Sequence, residues 1–126
     1  MAPDMTDKPV KIPGPDHPIT VTPAASRVVV RVGDRVVADT TQALSLKEAT
    51  YPAVPYVPRA DVDMALLERT DHQTYCPYKG DASYYSIAGA GENVVWTYEA
   101  PYEAVAPIKE YVAFYPNKVT VEELPL

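Results

Sequence analysis

The sequence predicts a mainly β fold, a compact barrel or two packed sheets with one main α-helix. Three observations carry that reading. Strand-length runs of β-branched and aromatic residues recur after Arg27, turn-forming Gly and Pro residues separate them, and one stretch alone, residues 60–70, has helical spacing.

The elements follow in order. The first 23 residues hold six of the fourteen prolines and no aromatic. Residues 1–25 are therefore expected to form an extended arm with little to bury, and residues 26–126 a single β-rich domain. The lesser reading packs the arm along the domain or onto a partner chain. "RVVVRVGDRVVAD" is two β-branched runs joined by Gly33-Asp34, a pair that suits a type II′ hairpin turn. "ALSLKEAT" alternates, placing Leu44, Leu46 and Glu48 on one face. The prolines of "VPYVPR" fit an edge strand. "ADVDMALLERT" is the expected helix, with Asp61 as N-cap and Met64 and Leu67 on its buried side. Further strands are expected at 72–76, 82–88, 93–99, 110–115 and 118–122, with a helical turn at 103–108.

Composition excludes several classes. The chain has 126 residues, 47% of them hydrophobic, enough for one modest core. A net charge of −6, with eleven scattered basic residues, argues against nucleic-acid binding. A single cysteine permits no internal disulfide, so a cytoplasmic, reducing location is expected. No apolar run approaches membrane-spanning length, and the N-terminus has no apolar signal core.

The chemistry concentrates around Glu48 and "YCPYKGDASYY", residues 75–85. If the β alternation continues through Glu48, its carboxylate points inward and must find a partner or take up a proton. If the strand ends earlier, it reaches water. Cys76 is either a small buried hydrophobe or a thiol activated by Lys79. His72 shares its strand face but lies roughly 13 Å away along an extended chain, too far for direct proton transfer. His17, in the arm, is a poor substitute. "PYKG" reads as a tight turn with Lys79 exposed at its tip or folded back over a pocket. "DVDM" matches half of a metal-holding nucleotidyltransferase signature, but the upstream glycine turn is missing, and helix capping accounts for Asp61. Two histidines and one cysteine are too few for a closed zinc site, so no metal and no cofactor are expected. Trp96 and Tyr98 alternate onto one strand face, as core or as a pocket wall.

The order of Glu48, "YPAVPYVPRADV", "YCPYKGDASYYS" and "VVWTYEAPYEAVAPIKEYVAFYPNKVTV" resembles the domain-of-unknown-function 427 family. The likeness runs from the first hairpin to the final strand. It implies a small β-tent of the Mss4-like group, two sheets meeting at an angle. Zinc-binding relatives in that group carry paired cysteine knuckles, which this chain lacks. The resemblance implies no particular reaction, and a nucleotidyltransferase-like label attached to the family finds no catalytic residues here.

Two functions follow from the residues. The first is small-molecule binding in an aromatic-lined pocket, with or without an enzymatic step. Its candidate lining is Glu48, Tyr56, Arg59, Cys76, Lys79, Trp96 and Tyr98. Glu48 would act as acceptor or general base, Arg59 and Lys79 as anion holders, and the aromatics as walls. The second is a protein-interaction module built on the ten tyrosines. Buried tyrosines favour the first, an exposed tyrosine patch the second. Neither membrane nor nucleic acid is an expected partner, and the residues leave homo-oligomerisation open.

Overall fold

The computed structural model describes residues 8–126. Ten strands run antiparallel: β1 (Ile19–Pro23), β2 (Ser26–Val32), β3 (Arg35–Thr40), β4 (Leu44–Glu48), β5 (Val54–Tyr56), β6 (Leu67–Cys76), β7 (Gly80–Ile87), β8 (Gly91–Tyr98), β9 (Val112–Phe114) and β10 (Thr120–Pro125). They divide into three sheets, β1-β4-β5, β10-β2-β3 and β6-β7-β8-β9, and do not close into a barrel. A backbone bridge from Val57 to Val112 joins the end of β5 to β9, and another ties Ala38 of β3 to Val62.

The mainly β class is as expected, and local sequence explains most of the strands. In the β2–β3 hairpin Gly33 takes a φ of +59° while Asp34 keeps a negative one, which matches the glycine-first turn. β5 carries Pro55 at the edge of its sheet, where a missing N–H costs no ladder bond. The helical turn at Glu103–Ile108 also stands where it was expected.

Two expectations fail. Residues 60–70 form no α-helix, and none occurs among the described residues. Single 3₁₀ turns span Arg59–Asp61 and Met64–Leu66, and Leu67 then enters β6. The apolar residues Val62, Met64 and Leu66 are also spaced by two, and their burial alternates with exposed Asp63 and Ala65. Val62 bridges Ala38, and the Asp63 N–H donates to the Val37 carbonyl, so the segment runs along the edge of β3. Asp61 caps no helix; its carboxylate accepts from Thr40 Oγ1 at 2.7 Å.

The arm also departs from its reading. Its first seven residues lie outside the described structure, but Ile19–Pro23 is a full strand against β4. Ile19 and Val21 pack on the core beside Leu46 and Tyr56. Residues 8–17 then strap across the β6–β7 turn. Lys8 pairs with Asp81, the Lys11 N–H donates to the Pro77 carbonyl, and Tyr75 Oη donates to the Pro9 carbonyl.

The core has two parts, and both faces of the four-stranded sheet are buried. Tyr85, Val95, Val112 and Phe114 join the valines of β2 in one part. Tyr84, Tyr98 and Ala113 join Leu46, Tyr56, Val105 and Ile108 in the other. The candidate site stands where this second part, between β1-β4-β5 and the four-stranded sheet, meets the first.

Candidate functional site

Alternation along β4 carries through to Glu48, whose side chain is 16% exposed. Its two oxygens have separate partners. Lys79 Nζ donates to Oε1, and His17 Nε2 donates to Oε2 at 2.7 Å. Each partner is delivered by a different piece of backbone.

Lys79 comes from the "PYKG" turn. Its N–H donates to the Cys76 carbonyl, and Gly80 follows with a φ of +106°, in the region that favours glycine. A β-carbon there would meet the Ala100 carbonyl at 3.4 Å, an ordinary contact, so the backbone angle and not space calls for glycine. The Tyr102 N–H donates to the Lys79 carbonyl, so the lysine backbone is pinned. The side chain folds inward, 13% exposed, with Nζ 5.8 Å from the centre of the Tyr98 ring. Of the two positions open to it, Lys79 takes the one over a pocket.

His17 comes from the strap. Ile19 stands opposite Glu48 in the β1–β4 register, and paired backbone bonds between Gly14 and His17 turn the chain just before it. The imidazole stacks on Tyr78, with centroids 4.1 Å apart and planes 7° from parallel. Burial pushes the Glu48 carboxyl up, but hydrogen bonds from Lys79 and His17, together with their charges, outweigh it. The group is held below the ordinary carboxylate value.

This cluster stands at the seam of two adjoining cavities. The smaller, about 220 Å³, is walled by Tyr56, Tyr84, Trp96, Tyr98 and Tyr115, with Glu48 and Lys79. Trp96 Nε1 donates to Tyr56 Oη at 3.1 Å, and the two rings meet edge to face. Burial first of all pushes the Tyr56 and Tyr98 hydroxyls well up, so both stay neutral phenols. The larger, about 390 Å³, opens where the three sheets meet. Val28, Val30, Val57, Phe114 and Val121 line it. Glu48, Tyr51, Pro52, Val54 and Trp96 belong to both.

Of the seven residues predicted to line a pocket, five meet: Glu48, Tyr56, Lys79, Trp96 and Tyr98. Arg59 does not. Val57 carries the chain across the edge of β9, so Arg59 emerges on the opposite face of the four-stranded sheet. There its Nε donates to the Glu110 carbonyl at 2.9 Å, and its guanidinium lies 5.8 Å from the Tyr85 ring centre. With Arg69 it flanks Glu99, whose carboxyl is held down at about 2, chiefly by the Arg69 hydrogen bond. Cys76 lines neither cavity. It is a free, half-buried thiol packed against the second core. His72 stands edge-on to Tyr84, 4.6 Å between ring centres, and is not paired with Cys76. Among the described residues no three His, Cys, Asp or Glu side chains cluster as metal ligands would.

Sequence reasoning missed His17, dismissed with the arm, and the walls Tyr51, Tyr84 and Tyr115. A signal for His17 existed. "ITVT", residues 19–22, is β-branched and alternating, and a strand there would have tied its neighbours to the domain.

The fold and the site define a small all-β domain with a hydrogen-bonded His17–Glu48–Lys79 trio at the seam of an aromatic and aliphatic double cavity. The chain belongs to the family described as "Domain of unknown function (DUF427)", whose model matches residues 20–124. No curated protein matches the chain. No helix among the described residues is long and apolar enough to cross a membrane.

Proposed function

We propose that this protein is a small-molecule-binding module whose ligand occupies the double cavity against Glu48. The observation that carries this reading is the joining of two compartments by shared residues, with a half-buried, polar, hydrogen-bonded trio at their seam. Concave, largely apolar sites with a few convergent polar groups are the usual form of ligand pockets, and a volume of 390 Å³ is in the usual range. Glu48 acts as hydrogen-bond acceptor, Lys79 as a donor anchored by that same carboxylate, and Trp96 as the wall common to both compartments.

The distribution of tyrosines favours this over the interaction module. Tyr56, Tyr84, Tyr85 and Tyr98 are buried, and four more are half-buried. Tyr51 and Tyr115 alone count as exposed, and they stand at the cavity walls.

Trp96 is the only tryptophan and reports the site directly. A panel of short-chain alcohols, phenols, carboxylates and amines, titrated against its fluorescence, should include compounds that give a saturable change. Val54→Phe, which narrows both compartments from an edge strand, should abolish that change without unfolding the protein. A panel with no saturable member, or a response that persists in Val54→Phe, overturns the reading.

A further inference from the structure

We infer that the ligand of this site is an uncharged amphiphile, with a hydroxyl or primary-amide head at Glu48 and Lys79 and an alkyl chain in the larger cavity. The inference rests on the small-molecule reading above and specifies its chemistry.

The head group follows from charge balance. The Glu48 carboxylate and the Lys79 ammonium neutralise each other. The other groups facing them are His17 from the strap and the phenols of Tyr56 and Tyr98. Among the described residues no buried side-chain nitrogen or oxygen lacks a partner, so the site is satisfied without a ligand. A ligand carboxylate would compete with Glu48 for Lys79. A ligand ammonium would compete with Lys79 for Glu48. Either exchange leaves one buried charge without its partner, and burying an unpaired charge is strongly unfavourable. A hydroxyl or amide avoids the exchange. It accepts from one of the remaining N–H groups of Lys79 and donates to a remaining lone pair of Glu48, leaving the pair intact.

The body follows from the lining. The larger cavity is walled by valines, prolines and Phe114, and Glu48 is its one charged residue. It adjoins the aromatic compartment, with which it shares Glu48 and Trp96. A head held at that seam leaves the rest of the molecule facing aliphatic surface, where a methylene chain gains by leaving water.

The experiment uses the full chain and four n-alkyl series, alcohols, primary amides, carboxylates and amines, from six to ten carbons. Binding is read by Trp96 fluorescence and by calorimetry. Alcohols and amides should tighten roughly fourfold per added methylene, the factor expected for full burial of each CH₂. Carboxylates and amines of equal length should bind at least about tenfold more weakly. Val121→Phe, which fills the larger cavity from a half-buried position on β10, should flatten the chain-length dependence while short alcohols still bind. Its folding is checked by circular dichroism.

Carboxylates or amines that bind as tightly as alcohols overturn the uncharged head. Affinity independent of chain length, or a slope unchanged in Val121→Phe, overturns the alkyl body. Both results leave the small-molecule reading standing, because a saturable Trp96 response would still be present. If no compound of any series or of the broader panel binds, both readings fail.

Discussion

His17 and Glu48, separated by 31 positions in the chain, meet at 2.7 Å, and the contact closes the N-terminal strap onto the inner end of β4. The strap therefore takes part in the same charged cluster as Lys79. The stability of the domain and the chemistry of its cavity share one carboxylate.

Replacing Glu48 with glutamine keeps its shape and removes its charge. Lys79, mostly buried beside it, then loses its counter-charge, and the expected loss is about 3 kcal/mol. The midpoint of urea unfolding measures it. Lys79→Met should cost a similar amount, and the double variant less than the sum of the two. Additive effects would mean that the two side chains do not interact.

Acid should weaken the fold through the same group. The Glu48 carboxyl sits below its ordinary value of 4.5, so its contribution is fully present above that pH. The contribution is lost as pH falls through the lowered folded value. Glu99, held at about 2, adds its own solvent-screened loss between 4.5 and 2. Unfolding curves at pH 7 and pH 3 should converge for wild type and Glu48→Gln as the pH drops. A difference that stays constant across that range contradicts the assignment.

Deleting residues 1–23 removes β1, with Ile19 and Val21, and the His17 contact. Burial of two aliphatic side chains that are each partly covered is worth about 2 kcal/mol, so the thermal midpoint should fall by roughly 5–10 °C. A truncated protein as stable as the full chain would mean that β1 contributes nothing.

Tyr56→Phe leaves Trp96 Nε1 without its acceptor at the cavity wall. The expected cost is about 1–2 kcal/mol, accompanied by a shift in the tryptophan emission maximum. Calorimetry and fluorescence on the same sample check both. An unchanged spectrum would place the indole N–H in contact with some other acceptor.

The strands that could be read from the sequence were those with strong local signals. Gly33 between two valine-rich runs, and the alternation of Leu44 and Leu46, were clear, while whether that alternation continued to Glu48 was open until the strand's end was placed. Lys79 was legible as a turn residue, although its inward course depends on Glu48, 31 residues upstream. Residues 60–70 misled because Val62, Met64, Leu66 and Leu67 satisfy helical and strand spacing equally, and only the edge of β3 decides between them. The prolines of the arm misled differently. They prevent helix and central strand, but an edge strand tolerates them, and Pro18 and Pro23 flank or end β1 on that account. Arg59 was assigned by chemistry alone, and which face of a sheet a side chain reaches is settled by the path of the chain around β9.

β8 has structure on both sides. Trp96 and Tyr98 look into one core, while Thr97, fully buried, donates to the Tyr111 carbonyl on the other. A slip of one residue would exchange these sets and put a hydroxyl where the indole stands. That is as costly for the arginine side as for the cavity, so the strand has a single register. A ligand of the proposed kind would meet a wall whose shape is fixed before it arrives, leaving little ordering of the protein for binding to accomplish. Selectivity in such a site would be rigid: an ill-fitting molecule could not reshape the strand and would have to bend itself or leave.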